Sequence, residues 1–125
     1  MQWTPERGEV VWITMSPQSG HEQRGRRPAL VMSPAAYNGK VGLAILCPIT
    51  SQAKGYPFEV ALPEGLPVSG VVLSDQAKSL DWRSRQAELV CALPADVTDS
   101  VLQRLGRLIG PAGGPLGGRS LDSAG

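Results

Sequence analysis

The longest apolar run in the chain, VGLAILCPITS at residues 41–51, is the segment that most restricts the fold. Its hydrophobic residues do not alternate with polar ones, so a strand made from it is buried on both faces. A short chain can bury such a strand only by placing it centrally. The flanking segments have the character needed to surround it. EVVWITMS (9–16) and RPALVMS (27–33) are rich in β-branched and aromatic residues, and FEVALP (58–63), VVLSD (71–75) and RQAELVCAL (85–93) read as further short strands. SPAAYNGKVG (33–42) reads as a turn with Asn38-Gly39 as its strongest signal, and QAKSLDW (76–82) is too short for more than a helical turn.

The period changes at Ala95. Val97, Val101, Leu105 and Leu108 fall at helical spacing, with Leu102 and Ile109 beside them. Pro94 suits a helix start, Asp96 and Asp99 favour the positive end of the helix dipole, and Gly110-Pro111 stops the helix. Six strands and a terminal helix predict a mainly β protein, a small curled antiparallel sheet or barrel. At 125 residues the chain is one domain. Residues 1–110 carry it, and the Gly- and Pro-rich residues 111–125 have little to bury and read as a flexible tail.

Bulk properties exclude several classes. The formal net charge of +1 gives no global attraction to nucleic acid, so an anion site has to come from local clustering. One histidine and two cysteines, each cysteine in an apolar run, do not make a zinc site or a disulfide framework. Cys47 and Cys91 read as buried free thiols, which suits a reducing cytoplasm. MQWTPERGEV lacks the apolar core of a signal peptide, and no run reaches the length of a membrane span.

Three clusters are candidates for chemistry. His21, Glu22, Gln23, Arg24, Arg26 and Arg27 crowd the loop before the second strand, a local excess of positive charge fit for a phosphate or simply a solvated loop. Thr50, Ser51 and Gln52 end the central strand, where hydroxyls either donate to a bound anion or satisfy their own turn. Lys54 follows as a phosphate ligand, with Tyr56 or Phe58 as a base-stacking ring, although Phe58 also suits a core. Asp75, Gln76, Lys78 and Ser79 close another strand end, and Trp82 serves equally as a stacking ring, an interface anchor or a core residue.

Together these clusters resemble the MazF branch of the MazF/PemK (Kid) toxin family. The likeness rests on GEVVWITMSP, HEQRGRRPALVMSPAAYN, CPITSQAKGYPFEV and VVLSDQAKSLDWRSR, and spans roughly residues 8–110. It implies an SH3-like barrel with a C-terminal helix, shared with CcdB-type toxins, usually as a homodimer. It implies a cytoplasmic, metal-independent, sequence-specific endoribonuclease that cuts single-stranded mRNA without a cofactor, and a MazE-like antitoxin that blocks its site. The family motif places its catalytic arginine on Arg27, its catalytic threonine on Thr50, and a glutamate needed for activity on Glu22. Gln23, Arg24, Lys54, Asp75, Gln76 and Lys78 are the expected RNA contacts. The Kid/PemK branch pairs the aspartate at Asp75 with an arginine two residues earlier, and here that position is Leu73, which moves the expected chemistry to Arg27 and Thr50. Two other readings stand beside this one. A CcdB-like gyrase-binding toxin would need a Trp-Gly-Ile terminus, and the helix here ends in RLIG before a Gly-rich tail. A non-catalytic SH3-like interaction module would make Arg27 and Thr50 structural.

Overall fold

The computed structural model describes residues 2–15 and 25–111. The expected tail, residues 111–125, lies outside the described residues from position 112 onward, and so do His21, Glu22, Gln23 and Arg24, where the sequence predicts a loop. Among the described residues, seven strands and two helices follow one another: β1 (Glu9–Thr14), β2 (Arg26–Val31), α1 (Ala35–Val41), β3 (Leu43–Thr50), β4 (Glu59–Ala61), β5 (Val71–Leu73), β6 (Lys78–Asp81), β7 (Glu88–Ala92) and α2 (Ala95–Ile109). The strands pair in the order β4-β5-β3-β2-β1-β7, with β6 also on β3, and all pairings are antiparallel. The mainly β architecture with a C-terminal helix is the expected one. The pairing path is open rather than closed into a ring, so "barrel" overstates the curl of the sheet.

β3 sits at the centre because both its faces are apolar. Cys47 and Ile49 join Val10, Leu30, Val72 and Val101 in one core, while Ala44 and Leu46 join Val11, Ile13, Val31 and Trp82 in the other. Alternation along each strand divides the residues between the two cores. α2 covers the first core with Val101, Val97, Leu102 and Leu105; Leu108 and Ile109, also on the predicted apolar period, remain exposed. β6 and the N-terminal segment cover the second, where Trp3 meets Trp82 edge to face at 6.0 Å. Trp82 is thus a core residue. Its ring nitrogen donates to the Asn38 carbonyl, and the Arg83 guanidinium lies 4.3 Å over its ring.

Two local expectations are corrected. The Asn38-Gly39 pair is not a hairpin turn but the middle of α1, which ends at Gly42 in the left-handed region with φ 83°. Asn38 is fully buried. Its amide donates to the carbonyls of Pro5 (2.8 Å) and Ser33 (2.9 Å), and its Oδ1 accepts from the Ser33 hydroxyl (2.5 Å). A polar network satisfied in this way stabilises a helix that local propensity would not support. Pro34 offers no side-chain cap, and Glu6 substitutes by accepting the Ala35 N–H at 2.9 Å. That bond, followed by the one from Arg7 N–H, holds the Glu6 carboxyl below its ordinary pKa. The segment expected to make a helical turn contains β6, paired with β3 from Leu43↔Asp81 to Leu46↔Lys78. Leu80 is its only buried residue, so the strand carries no alternation to read.

Cys47 is buried as expected, whereas Cys91 is only half-buried. Burial, aided by the negative charge of Asp75, pushes the Cys47 thiol from 9.0 to about 12. The raised value favours the folded state while the thiol is neutral. That contribution is complete below about pH 9 and is lost as the pH climbs towards about 12. Alkylation at pH 8 is expected to label Cys91 in the native protein and Cys47 only after denaturation, as peptide mapping would reveal; equal labelling of both would contradict the packing. Replacing Asn38 with Ala strands the Ser33 and Pro5 groups and is expected to cost about 2–4 kcal/mol, read as a lower denaturation midpoint at unchanged m-value.

Candidate functional site

Two adjacent arginines enter β2 and have different surroundings. Successive strand residues point to opposite faces. The Arg26 side chain is 8% exposed and ties three segments together: it donates to Thr14 Oγ1 (2.9 Å), the Gln86 carbonyl (2.8 Å) and Glu88 Oε1 (3.0 Å). It also supports Gln86, the one non-glycine among the described residues with positive φ (57°). Arg27 is exposed, and among the described residues it forms no salt bridge. Pro28 follows it, which holds Arg27 in extended backbone.

Arg27 lines a groove of about 680 Å³ together with Trp12 and Pro28, with Thr50, Ser51 and Gln52 at and after the end of β3, and with Pro67, Val68 and Ser69. Leu73 and Gln76 also line it. A smaller recess of about 270 Å³ continues from it, sharing Thr50, Gln52, Leu73 and Gln76 and adding Lys54, Tyr56 and Glu59. The open strand ends build the groove: β3 delivers Thr50, β5 delivers Leu73, and β2 delivers Arg27.

Thr50 is oriented by its own turn. Its Oγ1 accepts the Gln52 N–H at 3.1 Å, which uses a lone pair and leaves the hydroxyl proton to donate. Glu59 shapes the loop that follows. Its carboxylate accepts the N–H groups of Lys54 (2.9 Å) and Gly55 (3.0 Å), and the bond from Lys54 N–H heads the causes that lower its pKa. The Tyr56 hydroxyl donates to Asp75 Oδ2, and this bond is the main reason its pKa is raised. Phe58 packs edge to face on the Tyr56 ring at 6.3 Å, and Arg104 of α2 donates to the Pro57 carbonyl at 3.1 Å. The recess wall is therefore a held surface with an exposed aromatic ring.

The expected site residues divide into three groups. Arg27, Thr50, Lys54 and Gln76 open into the groove or its recess. Asp75 is not among the lining residues of the groove or its recess; one of its oxygens is bonded to Tyr56 and the other is buried without a partner among the described residues. Lys78, on β6, is not among those lining residues either. Glu22, Gln23 and Arg24 lie outside the described residues. Sequence reading did not single out Trp12, Glu59 or the Pro67–Ser69 segment. Trp12 carried a usable signal, an aromatic between Val11 and Ile13, both of which face the opposite core. Among the described residues no three His, Cys, Asp or Glu side chains gather to hold a metal ion, and no helix is long and apolar enough to cross a membrane.

Comparison with known proteins places this geometry. The chain is 40% identical over 109 residues to the endoribonuclease toxin MazF of Escherichia coli K12, covering 87% of this chain and 97% of that one. It is similar to the crystal structure of MazF from Deinococcus radiodurans, with 60% identity, a TM-score of 0.80, and coverage of 88% of this chain and 100% of that one. It is also similar to a MazE–MazF structure from the same organism, at 55% identity and a TM-score of 0.78, covering 87% of this chain and 98% of that one. Residues 6–109 match the family model for PemK-like, MazF-like toxins of type II toxin–antitoxin systems, and the chain belongs to that family.

Proposed function

We propose that the chain is a metal-independent, sequence-specific endoribonuclease that cuts single-stranded mRNA and acts as the toxin of its toxin–antitoxin pair. The observation that carries this is the opening of Arg27 and Thr50 into one groove, a fixed cation facing a hydroxyl whose proton is free to donate. The kinship with endoribonucleases of the same family supports it.

RNA supplies the nucleophile. Its 2′-OH attacks the adjacent phosphorus, the P–O5′ bond breaks, and the products are a 2′,3′-cyclic phosphate and a 5′-OH end. The protein has to stabilise the charge that builds on the non-bridging oxygens. Arg27 does so with charge-assisted hydrogen bonds and Thr50 with a neutral one. A guanidinium offers donors and no acceptor, so Arg27 is not the base that takes the 2′-proton. Glu22 is the candidate for that role or for orienting the loop. Bases flanking the cut lie along the groove, stacked on exposed rings and read at their edges by Gln76, Lys54 and, from the preceding loop, Gln23 and Arg24. Tyr56 is the ring held ready on the recess wall. Asp75 contributes by fixing that ring.

The assembly proposed with this function is a cytoplasmic homodimer inhibited by a MazE-like antitoxin. Acidic, partly disordered antitoxin segments suit a groove that carries Arg27 and Lys54.

The test is cleavage of a long single-stranded RNA with the ends mapped. Discrete cuts bearing 5′-OH ends are expected, unchanged in EDTA and absent when the cleavage site carries deoxyribose. Arg27→Ala is expected to lower kcat by about 10²–10³ with an unaltered melting curve, and Thr50→Ala by a smaller factor. Cutting of an all-DNA strand, or full activity in Arg27→Ala, would refute the mechanism.

A further inference from the structure

Gly70 follows the Pro67–Ser69 segment of the groove lining and abuts the Thr50–Ser51 peptide. It precedes β5 and has φ +117°, a backbone conformation that other residues rarely adopt. A Cβ placed there would lie 2.1 Å from the Thr50 carbonyl oxygen, 2.8 Å from the Thr50 carbonyl carbon and 2.9 Å from Ser51 Cα. All three are backbone atoms, so no rotamer change would relieve the overlap. The Gly70 carbonyl in turn accepts the Leu62 N–H at 3.0 Å, and the next residue pairs with the strand end, Val71↔Thr50. Gly70 is thus clamped between β4 and the peptide that carries the Thr50 hydroxyl.

We propose that Gly70 is a positioning residue for catalysis: its missing side chain lets the start of β5 lie directly against the Thr50–Ser51 peptide and fixes the direction in which Thr50 donates. The proposal rests on the assignment of Thr50 made above. The other glycines with positive φ have different surroundings. A Cβ at Gly55 or Gly65 would meet nothing, and at Gly8 or Gly42 it would make ordinary contacts. Those positions need glycine for their turns alone. Gly70 needs it for a close approach to a residue of the groove, a second and independent demand. The Pro67–Ser69 segment of the groove lining leads straight into it, so displacing Gly70 moves that part of the lining and the hydroxyl together. A misplacement on the scale of an ångström costs about a hundredfold in rate.

The experiment is a double-mutant cycle on RNA cleavage with Thr50→Ala, Gly70→Ala and both, each checked for folding by circular dichroism. Support is a fall in kcat of about a hundredfold in folded Gly70→Ala at nearly constant KM, with the double variant no slower than the slower single one. A folded Gly70→Ala with wild-type kcat, or losses that multiply in the double variant, overturns the proposal while leaving the role of Thr50 intact. Wild-type kcat in Thr50→Ala instead refutes the assignment of Thr50, and the proposal with it. Should Gly70→Ala fail to fold, NMR of the wild-type protein decides. A strong Overhauser contact from Gly70 Hα to Ser51 Hα with one Thr50 χ1 rotamer supports the proposal; no contact, or rotamer averaging at Thr50, overturns it.

Discussion

The structure depends on burying β3 on both faces. A strand that is apolar throughout needs a cover on each side and partners along its length. β2, β5 and β6 supply the partners, α2 lies over one face, and Trp82 with its neighbours closes the other. This accounts for the use of so small a sheet. It also fixes where the end of β3, with the candidate site residue Thr50, stands. Thr50 is the last residue of that strand and is itself paired with Val71 of β5. The hydroxyl is precise because the strand behind it cannot shift without disturbing both cores.

The paired arginines show the same economy at β2. Residues of identical chemistry in consecutive positions are separated by the pleat of the strand. One is spent on knitting β1, β7 and the turn before β7; the other faces the groove. Charge counting along the sequence treats them alike. Their environments make one a structural crosslink and the other a candidate phosphate ligand.

Most of the strands, the terminal helix and the two principal groove residues were legible in the sequence, because each leaves a local trace: β-branched runs, a helical period, and a motif with fixed spacing. What escaped was specified at long range. α1 is held by bonds from Asn38 to Pro5 and Ser33 and by a cap from Glu6, none of which a turn signal at Asn38-Gly39 discloses. β6 exists because the edge of β3 requires a partner, and its own four residues bury only Leu80. At the site, Trp12 comes beside Arg27 through the pairing of β1 with β2, and the Pro67–Ser69 segment joins the same groove from far along the chain. Asp75 reads in sequence as a contact residue; its bond to the Tyr56 hydroxyl, between residues nineteen apart, leaves no trace there.

The bond from Arg104 to the Pro57 carbonyl gives α2 a second task besides roofing the core. It is a strut between the helix and the loop that bears Tyr56. Arg104 is itself braced, one turn back, by its donation to the Ser100 hydroxyl. The last residues of the helix, Leu108 and Ile109, extend past this strut and are exposed. Fraying of that final turn therefore leaves the recess wall where it stands, whereas a tilt of the helix at Arg104 is transmitted to the aromatic ring as a rigid lever would transmit it.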